Sequence, residues 1–305
     1  MKILLLAAVA ALSAPLTATA GEPAIVVKQA HDRVALHDHI RTTLHGTEGP
    51  VVVLIPGMST PGAMWDDHVA QLEETHRVLV VELRGFGGER GTANEAEGAL
   101  DGTVSDIAAD LAARKLGPAT VSGHSLGGLI ALKLALGHPQ ALTNLLVIDA
   151  LPFFGTVFDS EMTLEKVEPR ATQMRDMIIA GADMMREAGR TGTASGDGAR
   201  GMSVRPDNAL TIAKWALKAE PLAVAQLVYE DTMTDLRQDI ARITVPVTVL
   251  HMANGDHKAI AVERYATDYA ALPGVKMVPI DDTGHFVQLD QPATFQRELR
   301  VLTGK

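Results

Sequence analysis

The sequence predicts an α/β protein with a doubly wound, mostly parallel β-sheet and a helical cap inserted between two of its strands. Three observations indicate this class. Short, continuously apolar segments recur along the chain, as expected for strands buried on both faces of a parallel sheet. Helical patterns separate most of these segments. One long interval, residues 151–243, contains helical patterns and no convincing strand.

Strands and helices are expected to alternate from residue 51 onward. The predicted strands lie at residues 51–55, 78–83, 119–122, 145–148, 247–251 and 276–280. The predicted helices lie at residues 63–74, 104–116, 126–136, 260–271 and 292–301. Ahead of them, two short alternating segments at 24–29 and 33–39 predict an antiparallel hairpin. Ligands in such sheets bind beyond the carboxyl ends of the strands, where the insertion would form a roof.

The domain organisation follows from these patterns. Residues 1–20 combine Lys2, an apolar run and small residues ending at Ala20, which is typical of a secretory signal peptide. We therefore expect a periplasmic or secreted protein. Residues 21–150 and 244–305 are predicted to form one α/β core, with residues 151–243 as its cap or lid.

Composition excludes several classes of function. The chain has a net charge of −10 and no basic runs, which argues against nucleic acid as a partner. No segment after residue 20 is long and apolar enough to span a bilayer, so no stable membrane association is expected. The sequence has no cysteine, which excludes disulfides and thiol catalysis.

A glycine-flanked serine follows the third predicted parallel strand. Residues 121–129 read VSGHSLGGL, so that Ser125 lies between Gly123 and Gly127 at a sharp strand-to-helix turn. Such a turn holds the serine hydroxyl above the sheet edge, and the helix that follows favours developing negative charge at its N-terminus. An ordinary glycine-rich turn would show the same residue types. The flanking strand and helix favour Ser125 as a nucleophile.

A nucleophilic serine needs a base, and the base needs an acid to orient it. His285 follows the last predicted strand within DDTGHF, and it is the predicted base. The favoured acid is Asp256, which follows the preceding strand within HMANGDHK, because acid then histidine is the chain order expected for this architecture. Asp149, at the end of an earlier strand, is the alternative acid. An Asn-Gly-Asp turn without catalysis would also explain Asp256.

An acyl intermediate also requires two hydrogen-bond donors for its oxyanion. The backbone N–H of Leu126, directly after the nucleophile, is one candidate, and the N–H of Met58 in the loop PGMSTPGAMW is the other. No metal site is predicted. His37 and His39 lack a third ligand at a matching spacing, so they indicate an exposed hairpin.

Five segments together resemble the α/β-hydrolase family: VVVLIPG, VELRGFG, GHSLGG, NGD and TGH, in that family's order. The resemblance implies the α/β-hydrolase fold and serine hydrolysis without cofactor. Two positions depart from the pattern, since Pro56 stands where members commonly carry histidine and Glu82 replaces an aspartate. Epoxide hydrolases and haloalkane dehalogenases, which share the sheet and lid, use an aspartate where this chain has Ser125.

These features predict a serine hydrolase that cleaves a small-molecule carboxylic ester or lactone through an acyl-enzyme. A C–C bond hydrolase or a cofactor-free perhydrolase or haloperoxidase is the alternative on the same fold. A catalytically silent protein that binds a small apolar ligand is the alternative from another class. Seven of the twelve methionines lie in residues 151–243, which suits either an adaptable substrate roof or plain helix packing.

Overall fold

The structure, a computed structural model, describes residues 33–304 apart from 88, 89, 193 and 200. The predicted signal peptide and the predicted strand at 24–29 therefore lie outside the described residues. Within the described part of the chain, no helix has the length and apolarity needed to cross a membrane.

The described residues form an eight-stranded sheet of order β1-β2-β4-β3-β5-β6-β7-β8. The strands are β1 (Val34–Leu36), β2 (Ile40–His45), β3 (Val51–Ile55), β4 (Arg77–Leu83), β5 (Ala119–His124), β6 (Leu142–Ile148), β7 (Val247–Met252) and β8 (Lys276–Ile280). β1 and β2 pair antiparallel, as do β2 and β4. The other neighbours are parallel, so the carboxyl ends of β3 to β8 lie at one edge. The predicted doubly wound fold class is confirmed.

The N-terminal hairpin differs from its prediction. It joins β1 to β2 through residues 37–39, whereas the sequence predicts a strand that runs through these residues. His37 and His39 are mostly buried rather than exposed, and they contact Asp110 and Asp106 of a helix. The second strand of the hairpin was missed because its main partner is β4, a pairing that local alternation does not reveal.

Helices cover both faces of the sheet. They are α1 (Asp66–Leu72), α2 (Ala99–Ala113), α3 (Leu126–Gly137), α4 (Leu164–Thr191), α5 (Pro206–Lys218), α6 (Pro221–Thr232), α7 (Lys258–Asp268), α8 (Val287–Asp290) and α9 (Pro292–Thr303). Alternate residues of β3 enter opposite cores, as the period of a strand requires. Val53 packs in the core that holds α2, α3 and α7, while Val52 packs in the core that holds α1 and α9.

The interval 151–243 contains helices in its described residues. α4, α5 and α6 all lie between β6 and β7 in the chain. The two ends of the interval lie side by side, because Phe153 forms an antiparallel bridge with Asp235 and Leu236 N–H donates to Pro152 O at 2.8 Å. The helical insertion thus leaves the core and returns to it at one place beyond the carboxyl end of β6, and the chain then runs to the opposite edge of the sheet, where the parallel strand β7 begins.

Candidate active site

The turn between β5 and α3 presents Ser125 in a strained conformation. Its φ of 53° and ψ of −124° lie outside the regions that residues with a side chain normally occupy. The Ser125 N–H donates to Ile148 O at 2.9 Å, which fixes the turn to the neighbouring strand. A Cβ atom at Gly123 would lie 2.0 Å from Gly127 O, so only glycine allows α3 to begin this close to the strand. The structure therefore builds the sharp elbow that the motif predicts.

His285 lies beside the carboxylate of Asp149. The distance from His285 Nδ1 to Asp149 Oδ2 is 2.6 Å. The other carboxylate oxygen accepts hydrogen bonds from Met252 N–H at 2.9 Å and from the Tyr265 hydroxyl at 3.0 Å. Asp149 is almost fully buried and has a positive φ of 44°. Its carboxylate is thus held in one orientation by three donors.

This geometry favours Asp149, the alternative acid, over Asp256, which the sequence indicates as the acid. Asp256 lies in a short turn, Gly255–His257, after β7, and its side chain is outside the described part of the structure. Among the described side chains of that loop, Asn254 reaches the His285 loop, because its amide donates to Thr283 O and accepts from Thr283 N–H. The contact made by Asp149 depends on the adjacency of β6 and β7, which the order of residues in the chain does not show.

The predicted oxyanion donors flank the serine. Neither Met58 N–H nor Leu126 N–H donates a hydrogen bond to another described residue. The loop after β3 packs directly on the elbow, since a Cβ atom at Gly57 would lie 3.1 Å from Ser125 Cβ. Ser59, two residues after Gly57, has a φ of 56°, so this loop is also strained. These two N–H groups, one next to Ser125 in the chain and one in the loop that packs on the elbow, are therefore candidates to bind an oxyanion.

A cavity of about 640 Å³ contains Ser125 and His285 in its wall. The remaining wall is mostly apolar and includes Met174, Met185 and Met202 from the interval 151–243. Ser125 and His285 make no direct hydrogen bond within the described contacts, and such contacts commonly tighten only when substrate is bound. The arrangement can accept a mainly apolar small molecule and place one of its atoms against the serine.

The model of the alpha/beta hydrolase family matches residues 52–298. The chain belongs to the α/β-hydrolase family. The resemblance stated from the sequence motifs is thereby confirmed, and so is the fold that it implies.

Curated relatives of this α/β hydrolase include Putative carbamate hydrolase RutD from Enterobacter cloacae, 28% identical over 250 residues, or 81% of this chain and 88% of that protein. A pimeloyl-[acyl-carrier protein] methyl ester esterase from Aeromonas hydrophila is 37% identical over 107 residues, or 35% of this chain and 40% of the esterase. Among solved structures, Est816, an N-acyl homoserine lactone degrading enzyme, is similar at a TM-score of 0.64 and 25% identity, covering 89% of this chain and 98% of its own.

Tyr265 is a site residue of this hydrolase that sequence reasoning missed. It lies buried on α7, and its ring stacks on His251 with centroids 4.2 Å apart. Burial raises the pKa of the Tyr265 hydroxyl well above its ordinary value, and the negative charge of Asp149 raises it further. The hydroxyl therefore stays protonated and donates to Asp149. Helical spacing places Tyr265 and Tyr269, the residue directly after α7, on one side of the chain, but it does not show which residue they contact.

His124, inside the elbow motif, supports the position of His285. Its Nε2 donates to His285 O at 3.0 Å, and the two rings lie 4.7 Å apart between centroids. Burial lowers the pKa of His124 well below its ordinary value, and the nearby His285 lowers it further. His124 is thus a neutral spacer rather than a second base.

Asp290 connects the loop that carries His285 to the interval 151–243. Its carboxylate accepts from Gly284 N–H at 2.8 Å, Val204 N–H at 3.0 Å and the Asn208 amide at 3.0 Å, and also from the Ser203 hydroxyl. Burial alone would raise the pKa of Asp290, but these hydrogen bonds outweigh it and lower the pKa. The loop that carries His285 is thereby held against residues 203–208.

The departure at Glu82 has a structural explanation. One of its carboxylate oxygens accepts a hydrogen bond from Gly62 N–H at 3.1 Å, so the side chain supports the loop that leads into α1.

Among the described residues, no cluster of three or more histidine, aspartate or glutamate side chains is arranged to hold a metal ion.

Proposed function

We propose that this protein is a serine hydrolase that cleaves a carboxylic ester or lactone through an acyl-enzyme. The observation that carries the proposal is the strained Ser125 at one cavity wall, with His285 beside it and Asp149 bound to His285 Nδ1 at 2.6 Å. Relatives named for carbamate, methyl ester and lactone chemistry support it, because all three reactions begin with attack on an acyl carbon.

In the proposed reaction, His285 Nε2 takes the proton of Ser125 as the hydroxyl oxygen attacks the substrate carbonyl. Met58 N–H and Leu126 N–H stabilise the tetrahedral oxyanion. Asp149 holds Nδ1–H of His285 and stabilises the imidazolium, which then protonates the leaving alcohol. Water repeats the sequence on the acyl-enzyme, so that the carboxylic acid is released and Ser125 regains its proton.

Covalent labelling tests the nucleophile before any natural substrate is known. We expect a fluorophosphonate to label the wild-type protein at Ser125 and to leave Ser125→Ala unlabelled. Ser59→Ala is the matched control, since Ser59 lines the same cavity, and it should label normally. Ser125→Ala should also lose about 10⁴-fold or more in kcat towards p-nitrophenyl esters. Retention of most activity in Ser125→Ala would refute the proposal.

The alternative reactions are separated by substrates. Aryl esters and lactones should be hydrolysed faster than vinylogous diketones, which are the substrates of a C–C bond hydrolase. With peroxide and halide, the protein should not oxidise the halide, as a perhydrolase or haloperoxidase would. A catalytically silent binding protein would turn over none of them.

Export is also part of the proposal, and the signal-peptide pattern of residues 1–20 supports it. N-terminal sequencing of the secreted or periplasmic protein tests it, and Gly21 is expected as the first residue.

A further inference from the structure

One carboxyl group of the cavity wall has no role in the proposed mechanism. Asp231 lies in the last turn of α6, four residues after the buried Leu227 and three after Val228, which also lines the cavity. This spacing places Asp231 on the apolar face of the helix. Among the described lining residues, Asp231 carries the one carboxyl group, and it shares the wall with Ser125 and His285.

Glu230, the acid directly before Asp231, has hydrogen-bond partners that Asp231 lacks. Glu230 accepts hydrogen bonds from Gly98 N–H at 2.7 Å, Ala99 N–H at 3.2 Å and Leu100 N–H at 2.7 Å, and so stabilises the start of α2. The side chain of Asp231 accepts no hydrogen bond from any described residue. Burial raises its pKa to about 7, although the charge of His285 acts in the opposite direction.

We infer that Asp231 recognises a hydrogen-bond donor that the substrate carries near its scissile carbonyl. The donor is a hydroxyl, an amide N–H or an ammonium group. This inference rests on the proposed function and specifies the substrate class: a mainly apolar ester or lactone with one polar, donating substituent. A carboxyl group that faces an enclosed, mostly apolar cavity favours such a substrate, because pairing it restores the hydrogen bonds that enclosure removes.

Asp231 also selects against substrates without the donor. A site built to pair with a polar group rejects an analogue that lacks it far more strongly than an apolar wall rejects a small change in size. The apolar remainder of the wall makes this contact the main polar discrimination beyond the reacting carbonyl. Because Asp231 shares the cavity with Ser125 and lies within electrostatic reach of His285, we expect the donor near the bond that is cleaved.

Matched probes test the inference. The p-nitrophenyl esters of α-hydroxybutanoate, α-aminobutanoate and α-methylbutanoate differ only in a hydroxyl, an ammonium or a methyl group. For the amide, an α-acylamino-γ-butyrolactone is compared with the lactone in which CH₂ replaces the N–H. The measured quantity is the ratio of kcat/KM for the donor-bearing probe to that for its partner. We expect a wild-type ratio of about 10 or more in at least one pair.

Two variants and a control complete the design. Asp231→Leu should lower that ratio about tenfold or more. Asp231→Asn keeps a neutral acceptor, so it should retain part of the preference for a hydroxyl or amide and lose a preference for ammonium. Asp176→Asn removes a carboxylate from the exposed part of α4 outside the cavity and should keep the wild-type ratio. Thermal melts of each variant report its folding.

The outcomes separate this inference from the proposed function. Wild-type ratios near 1 in every pair, or an unchanged ratio in Asp231→Leu, overturn the role of Asp231 while fluorophosphonate labelling of Ser125 continues. If the wild-type protein is not labelled, the proposed function fails instead. If Asp231→Leu does not fold, Asp231→Asn decides, and an unchanged ratio of kcat/KM in the preferred pair overturns the role of Asp231.

Discussion

Replacement of Asp149 by asparagine would change the proton position on His285 with little change of shape. Met252 N–H and the Tyr265 hydroxyl both donate to one side-chain oxygen of Asp149, so they would hold the amide oxygen of asparagine on that side. The NH₂ group would then face His285 Nδ1 in place of the oxygen now 2.6 Å away. Since NH₂ can only donate, Nδ1 would have to accept, and the proton would move to Nε2.

The wrong tautomer cannot take the proton of Ser125, so the expected loss is large. We expect kcat to fall by about 10³ to 10⁴, which corresponds to roughly 4–5.5 kcal/mol of transition-state stabilisation. Folding should be retained, because both donors to Asp149 keep an acceptor. By contrast, Asp149→Ala would leave both donors unpaired, at a cost of about 1–3 kcal/mol each.

The assay is kcat for a p-nitrophenyl ester, with a thermal melt for each variant. Asp256→Asn is the matched control, because it makes the same chemical change in the residue that the sequence favours as the acid. Asp149→Asn should lose more activity than Asp256→Asn. A larger loss in Asp256→Asn, or a loss of less than about tenfold in a folded Asp149→Asn, would show that Asp149 does not orient His285 in the reaction.

Two further predictions concern the buried side chains of Tyr265 and His68. Tyr265→Phe removes one donor from Asp149, so kcat should fall roughly tenfold with KM little changed; Tyr269→Phe, which removes a bond to Ala150 O, is the control, and equal effects would contradict the assignment. His68 is buried, and burial lowers its pKa from 6.5 to about 4, so its neutral form is favoured by folding. Its contribution to stability is full above pH 6.5 and is lost as the pH falls towards 4, by roughly 3 kcal/mol. In urea unfolding at pH 7 and 4.5, His68→Gln should lose less stability on acidification than the wild type, and equal losses would refute this.

Local patterns were sufficient for much of the sheet and for two site residues. Val51–Ile55 and Lys276–Ile280 are strands with the predicted bounds, because a continuously apolar or alternating run carries its own signal. Ser125 and His285 are likewise marked by glycine-containing turns after strands. Their places at one cavity follow from parallel strands, whose carboxyl ends share an edge.

Helix boundaries were less accurate where distant residues stabilise them. α2 begins at Ala99, five residues before the predicted start at 104, and the acceptor for its first N–H groups is Glu230 on α6. When the capping side chain comes from another helix, the sequence near the helix start contains no signal for it. The predicted helix at 63–74 is instead a short 3-10 turn, Gly62–Trp65, followed by α1.

By itself the sequence determined the family, the elbow at Ser125 and the histidine that follows the last strand. Tertiary structure decided which acid contacts that histidine. Chain order favours Asp256, but the contact depends on the neighbouring ends of β6 and β7 and on Tyr265, which α7 brings to the carboxylate of Asp149. It also decided that Asp231 faces the cavity. A motif records spacing along one segment, whereas these contacts join segments that meet only when the sheet and its helices are packed.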